Sequence, residues 1–220
     1  MASEARRNFD KNCEDVRRLM TIHSSIAGGT PGRKYGVDVL NKSAIVLITA
    51  FWEAYCEDLA AEALAHLVAN CEDASDLPKE LKKRVLDELV GQAHELAPWE
   101  LAGEGWRTVL TDRLERLQAQ RNRRLNTPRA VQIDELFVTT LGISKVSKSW
   151  YWPGVSSEMA RRKLDRYVEL RGSIAHRGST TGSVTKYRVN DYLSLVKSLV
   201  GKTGGRVNGH LKSITGDGLF

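Results

Sequence analysis

An arginine and a histidine stand five positions apart near the end of a predicted amphipathic helix, in the stretch VELRGSIAHRG, residues 168–178. Arg171 carries a permanent charge and can hold two phosphate oxygens at once, and His176 can accept or donate a proton near neutral pH. RNA cleavage by the substrate's own 2′-hydroxyl needs these abilities, because protons must move and extra negative charge must be stabilised. The pair therefore indicates phosphodiester chemistry that requires no metal ion.

The position of Arg171 on its helix is unusual for a charged side chain. At about 100° per residue, Arg171 falls within an apolar stripe of the helix. That stripe is made of Leu164, Tyr167, Val168, Ile174 and Ala175. A buried guanidinium is costly unless it meets an anion or several carbonyl groups. We therefore expect a partner for Arg171, and Glu53 on a second, more apolar helix is the candidate.

The spacing of the pair raises a geometric problem. Residues five apart on a regular helix point about 140° apart around its axis, so Arg171 and His176 do not converge within one helix. Either the helix end distorts, or a second subunit completes the site. A two-fold dimer would bring two copies of the motif to one cleft and would concentrate positive charge there for RNA. We therefore expect a homodimer with a nearly inactive monomer.

The elements that position these residues are predicted to be helices, in an all-α bundle with strands minor at most. Helices are predicted over 3–27, 37–69, 157–176 and 189–200, with two or three shorter ones between 72 and 148. The helix over 37–69 is apolar nearly all round, which is typical of the centre of a bundle.

We interpret the 220 residues as one domain. Its core is predicted over about 37–66 and 128–200, and the more polar segment over about 72–127 is interpreted as a helical insertion on that core. The last segment, about 201–220, is rich in glycine, and we expect it to be a flexible tail.

Composition gives weak evidence about partners. Lys and Arg number 33 against 27 Asp and Glu, for a net charge of +6, which permits an acidic partner such as RNA without requiring one. Cys13, Cys56 and Cys71 show no C-x-x-C spacing, and the other histidines lack the spacing of metal ligands. We therefore expect neither a disulfide framework, nor a metal site, nor another cofactor.

The sequence also bears on location. The charged N-terminal residues lack the apolar segment of a signal peptide. The most apolar run, AIVLITAFW over 44–52, is shorter than the ~20 residues that span a bilayer. We expect a cytoplasmic protein that does not contact membranes.

Three stretches together resemble a known family. These are IVLITAFWEAYCEDL (45–59), LFVTTLGISKV (136–146) and KLDRYVELRGSIAHRG (163–178), and they are similar to the HEPN superfamily, most of all to its RiboL-PSP-HEPN branch or the related MAE-type HEPN proteins. The resemblance is thin over 72–127. Members with an intact R-x4-6-H motif are metal-independent endoribonucleases that work as dimers, often as toxins or in phage defence.

The resemblance implies roles for individual residues. Arg171 and His176 would be the catalytic pair, and a cognate antitoxin or a second defence protein would be a possible partner. The residue after the motif arginine is commonly polar, often Asn, whereas this chain has Gly172. Ser173 is the nearest substitute, although it points to the other side of an ideal helix.

A structural interpretation of the same residues stays open. Arg171 would then be salt-bridged to Glu53, and His176 and Arg177 would stabilise the helix end before a glycine. The chain would be a non-catalytic HEPN-type module that binds RNA or a protein, and Gly172 favours this alternative.

Two basic runs and one aromatic loop allow similar alternatives. The runs QRNRRLNTPR (120–129) and RRKLDR (161–166) could follow an RNA backbone or form solvated faces. The loop segment SWYWPG (149–154) could stack on bases, although packing onto the bundle is its more common use.

Overall fold

The computed structural model describes residues 2–27, 37–92, 95–119, 127–177 and 183–220. Within these ranges the chain forms a bundle of seven α-helices, which confirms the all-α prediction. The helices are α1 (Glu4–Ala27), α2 (Asp38–Asn70), α3 (Lys79–Gln92), α4 (Gly105–Ala119), α5 (Ala130–Leu141), α6 (Ser157–Arg177) and α7 (Lys186–Thr215). Short 3-10 turns lie at Ala74–Asp76, Ala97–Leu101 and Val146–Ser149.

Helix α2 is the centre of the bundle, as its apolar sequence predicts. It packs against α1, α4, α5, α6 and α7. Its buried residues lie on several faces, among them Ile48, Trp52, Leu59 and the small Ala60 and Ala63. Alanines at these positions let neighbouring helices approach closely, so α2 can serve as the common packing surface.

Hydrogen bonds fix the register of α7 along α2. The hydroxyl groups of Thr49 and Tyr192 lie 3.0 Å apart within the buried interface. Further along, the Tyr55 hydroxyl donates to the Val200 carbonyl at 2.9 Å. Because buried polar groups strongly prefer to be paired, these bonds oppose any sliding of α7 over α2.

Helix α6 lies between α5 and α7, and polar contacts at its first half hold it there. The Asp165 carboxylate accepts from the Ala130 backbone N–H at 3.0 Å, at the start of α5. On the other side, the Tyr167 ring stacks on Tyr192 of α7, with ring centroids 4.2 Å apart. These contacts position the second half of α6, which carries Arg171 and His176.

The segment over 72–127 packs directly on the rest of the bundle. Helix α4 contacts α2, and α3 contacts α5. Arg113 on α4 is buried, pairs with Glu88 on α3 and donates to the Thr139 carbonyl of α5 at 2.8 Å. One guanidinium thus joins three helices, whereas the division of the chain into core and insertion stays a prediction.

The prediction of a flexible tail over 201–220 was wrong. Helix α7 continues without a break to Thr215 and buries Thr203, Val207 and Leu211. The Trp150 indole N–H donates to the Thr203 hydroxyl at 2.9 Å, which fastens the 149–154 loop to this part of α7. Glycine disfavours helix only weakly, and tertiary packing of this kind overrides that preference.

Two neighbouring glycines test this packed helical end. A Cβ at exposed Gly205 meets open space, so Gly205→Ala should raise the free energy of unfolding by about 0.5–1 kcal/mol. A Cβ at buried Gly204 would lie 2.9 Å from the Tyr55 hydroxyl, so Gly204→Ala should lower it by about 1–3 kcal/mol. Urea unfolding of both variants measures the difference. Equal, negligible effects at the two positions would contradict a packed helix beyond residue 200.

Candidate functional site

Arg171 lies in the last two turns of α6, where the apolar stripe of the helix reaches the surface. Leu164, Tyr167 and Val168 are buried, Ile174 is half-buried, and Ala175 is exposed. Arg171 itself is half-buried, and its Nε is buried with no hydrogen-bond partner in the described part of the chain. A buried N–H without an acceptor is energetically costly, so the described residues do not fully satisfy the hydrogen-bonding capacity of this guanidinium.

Glu53, the predicted partner of Arg171, is half-buried on α2. The charge of Arg171 acts on the Glu53 carboxyl group. Burial and the nearby charge of Glu57 raise the pKa of the Glu53 carboxyl to about 7, although the Arg171 charge acts to lower it. Among the described residues, no hydrogen bond or ion pair joins the Arg171 guanidinium to Glu53. The two groups therefore interact through space without forming the salt bridge that the structural interpretation requires.

This arrangement leaves the charge of Arg171 only partly compensated. A carboxyl group with a pKa of about 7 is protonated in about half of the molecules at neutral pH. Glu53 can act on the guanidinium electrostatically without forming a hydrogen bond or an ion pair with it. The site can therefore accept a further negative charge, such as a phosphate, at Arg171.

The raised pKa of Glu53 makes stability depend on pH. The folded state holds the Glu53 proton up to about pH 7, whereas an unfolded glutamate releases it near its ordinary pKa of 4.5. The ionised form therefore destabilises the fold progressively between these two pH values, and fully above them. Glu53→Gln removes this penalty, so the variant should gain about 1 kcal/mol relative to wild type on going from pH 5 to pH 8, a value reduced for solvent screening.

Urea unfolding of both proteins at the two pH values gives this difference, and other titrating groups cancel in the comparison. A gap between variant and wild type that is the same at pH 5 and pH 8 would contradict the raised pKa.

His176 lies in the last turn of α6 and is exposed. The helix is regular through Arg177, so the distorted helix end, the first of the two geometric alternatives, is not present. With an angular separation of about 140°, the imidazole points away from the Arg171 side chain. The structure thus places both residues near one end of α6 but does not bring them together within a protomer.

The remaining predicted site residues differ in what they contact. The Ser173 hydroxyl donates to the Glu169 carbonyl one turn earlier, at 3.2 Å, rather than turning toward Arg171. A Cβ at Gly172 would meet nothing within 4 Å, so packing does not require glycine there. The Arg177 side chain and residues 120–126 lie outside the described part of the chain, and the roles assigned to these positions stay predictions.

Lys163 and Tyr167 of α6 form a polar network with Arg188 and Asp191 of α7. The Asp191 carboxylate accepts from the Lys163 ammonium at 2.6 Å and from the Tyr167 hydroxyl at 2.7 Å. Arg188, on the first turn of α7, faces the same space. Only Lys163 belongs to a basic run in the sequence; Asp191 and Arg188 carry no local signal, because their meeting depends on the packing of two helices.

The aromatic loop over 149–154 is partly buried and partly exposed. Trp150 of the aromatic loop is buried in the bundle, which leaves Tyr151 as its exposed ring, with the Lys202 ammonium 5.3 Å from the ring centre.

Across the described ranges, no group of three or more His, Cys, Asp or Glu side chains is arranged to hold a metal ion. None of the described helices has the length and apolar character needed to cross a membrane.

Comparison with known proteins gives one match. A family model described as RiboL-PSP-HEPN matches residues 8–205, which include most of α1, all of α2 to α6 and most of α7. No curated protein and no solved structure matches the chain.

Proposed function

Because the chain belongs to the RiboL-PSP-HEPN family, in a superfamily whose domains are commonly ribonucleases, we propose that it is a metal-independent endoribonuclease. The observation that carries the proposal is Arg171. The residue is half-buried, its Nε has no hydrogen-bond partner among the described residues, and its predicted carboxylate partner has a pKa of about 7. A cation held in this state is suited to bind a phosphate that arrives with a substrate.

The proposed reaction uses the RNA's own 2′-hydroxyl. A histidine accepts the 2′-hydroxyl proton, the oxygen forms a bond to phosphorus, and the bond from phosphorus to the 5′-oxygen breaks. The leaving 5′-oxygen takes up a proton from water and the histidine releases its proton to the solvent, so the products are a 2′,3′-cyclic phosphate and a 5′-hydroxyl end. Arg171 binds the non-bridging phosphate oxygens and stabilises the charge that they gain in the transition state.

The geometry of α6 supports a site shared between two subunits. Arg171 and His176 point apart on a regular helix, so one chain presents the phosphate-binding group and the proton-transfer group in different directions. In a two-fold dimer, the Arg171 of one subunit can meet the His176 of its partner at a common phosphate. We propose this homodimer as the active form.

Glu53 is proposed to act as a positioning residue. It lies close enough to Arg171 to act on it electrostatically, but no ion pair joins the two side chains where the structure describes them. When a phosphate dianion or monoanion binds Arg171, the local negative charge grows and favours the protonated form of Glu53. The protonated carboxyl group carries no negative charge, so it does not compete with the substrate phosphate for Arg171.

The wider role follows from the family and is part of the proposal. Endoribonucleases of this superfamily with the R-x4-6-H motif often serve as toxins or in phage defence. We propose that this chain acts in such a system in the cytoplasm, where a cognate antitoxin or a second defence protein restrains it.

A non-catalytic RNA- or protein-binding module is the second candidate, and Gly172 favours it. The space beside Gly172 is open, so a polar side chain after the motif arginine would fit but is lacking. A family member that has lost catalysis would tolerate this loss.

The test is cleavage of mixed RNA by the purified protein in the presence of EDTA, with analysis of the product ends. We expect cleavage that leaves 2′,3′-cyclic phosphates and depends on Arg171 and His176. Binding of RNA without cleavage would favour the second candidate, and 3′-hydroxyl products or a requirement for a metal ion would contradict the proposed chemistry.

A further inference from the structure

A second positively charged site lies beside Arg171, in a surface pocket between α6 and the start of α7. The pocket has a volume of about 220 Å³ and is lined by Lys163, Arg166, Tyr167, Arg188 and Asp191. We call it the α6–α7 pocket. Three cationic side chains and one carboxylate line it, an excess of two positive charges. Since a water molecule takes about 30 Å³, the pocket has room for a phosphate group with several waters.

The single carboxylate of the pocket organises its cations. Burial acts to raise the pKa of Asp191, but hydrogen bonds from Lys163 and Tyr167 outweigh burial and lower it. Asp191 is therefore ionised and holds the Lys163 ammonium and the Tyr167 hydroxyl in place, at 2.6 Å and 2.7 Å. Among the described residues, this leaves the exposed guanidinium groups of Arg166 and Arg188 without a carboxylate partner.

The pocket also lies at the positive end of a helix. Arg188 is in the first turn of α7, whose N-cap Thr185 accepts from the Arg188 backbone N–H. The helix dipole adds positive potential at this end of α7. The Tyr167 hydroxyl contacts the Arg188 carbonyl at 3.1 Å, so the two walls of the pocket are joined at its base.

Tyr167, which lines the pocket, connects it to the proposed active site. Tyr167 precedes Arg171 by one turn on the same face of α6, a rise of about 6 Å. The Tyr167 ring stacks on Tyr192, and the Arg171 charge lies close enough to Tyr192 to act on its hydroxyl. Two phosphates that are close together along one RNA backbone can therefore reach the two sites at once.

We infer that the α6–α7 pocket is a phosphate subsite that holds the RNA backbone close to the phosphate cleaved at Arg171. The inference rests on the proposed function for the identity of the ligand. It assigns Arg166 and Arg188 to direct contact with the phosphate. Lys163 is held by Asp191 at the side of the pocket and supplies positive charge.

The test measures binding of a fluorescent single-stranded RNA in a His176→Ala background, so that the RNA stays intact. Arg166→Ala combined with Arg188→Ala should raise Kd about ten-fold and should reduce the slope of log K against log salt by about 0.7, for one lost phosphate contact. Arg84→Ala is the control, because Arg84 is an exposed arginine on α3 that pairs with Glu135 and lies outside the pocket and the basic runs. We expect it to change Kd less than two-fold. Equal effects of the control and the double variant would overturn the subsite.

A scan of single neutral methylphosphonate linkages along the RNA locates the contact. One linkage should weaken binding to the background protein and have no further effect on the double variant. The absence of such a position would overturn the inference. If inorganic phosphate binds by calorimetry with dependence on Arg166 and Arg188 while RNA affinity is the same in the double variant, the ligand is a free phosphate and the RNA assignment is wrong.

The binding measurement is independent of cleavage. A wild-type protein that cuts no RNA would contradict the endoribonuclease, whereas an unchanged Kd in the double variant would contradict the subsite and leave cleavage untouched.

Discussion

Replacing His176 with alanine is expected to lower the rate of RNA cleavage in EDTA by at least about 100-fold. Proton transfer by a positioned side chain typically contributes about 100- to 10,000-fold to a rate, and His176 is the group assigned to that step. Because His176 is exposed in the last turn of α6, its removal should leave folding intact. The RNA affinity should change little, so the loss should fall on kcat rather than on KM.

The Arg171→Ala variant should lose activity to a similar degree for a different reason. Its guanidinium is assigned to the phosphate, so both affinity and rate should fall, and Arg171→Lys should restore only part of the activity because lysine cannot hold two oxygens at once. Initial rates with a labelled RNA in EDTA measure each variant. Arg84→Ala, which removes an exposed arginine on α3, is the control and should retain the wild-type rate. Cleavage that survives in both motif variants would show that the activity lies elsewhere.

The hydrophobic pattern predicts the fold well where burial follows helical periodicity. Helix α2 is apolar on nearly all faces, and a helix of this kind has to be surrounded by others, as it is. The tail was mispredicted because helix propensity and packing disagree there. Gly204 is unfavourable in an isolated helix, but in the folded protein its missing Cβ makes room for the Tyr55 hydroxyl.

The candidate site could be predicted only in part, for reasons of distance along the chain. Arg171 is recognisable because it interrupts an apolar stripe within one helix. Asp191 shows no such local conflict, since its role in the α6–α7 pocket depends on Lys163 and Tyr167, 28 and 24 residues earlier. Interactions between helices of this kind follow from tertiary packing, which periodicity within one helix does not specify.

The raised pKa of Glu53 could not be predicted from the sequence either. Glu53 was predicted to pair with Arg171, and charge attraction alone would lower its pKa. The structure instead shows that burial and Glu57 dominate and raise it to about 7. Whether an acidic group ionises next to a cation depends on how much water both retain, and that depends on the surrounding helices.

A mixture of two inactive variants is expected to recover activity if the site is shared between subunits. A heterodimer of Arg171→Ala and His176→Ala chains has two possible pairings of Arg171 with His176 across the subunits. In one of them, the intact Arg171 of the His176→Ala chain meets the intact His176 of the Arg171→Ala chain. Random exchange at equal concentrations makes half of the dimers heterodimers, and each retains one of two such pairings. The mixture should therefore reach about a quarter of the wild-type rate, from near zero for either variant alone.

The measurement requires proof that heterodimers form, which differently tagged chains and tandem affinity purification provide. Purified heterodimer should reach about half of the wild-type rate, since every molecule then has one intact pairing. A control heterodimer of Arg171→Ala with the doubly substituted chain should stay inactive, because it contains no Arg171 opposite an intact His176. The regular geometry of α6 makes the outcome decisive. If Arg171 and His176 of one chain served the same phosphate, α6 would have to bend near Gly172, and verified heterodimers would then remain as inactive as either parent.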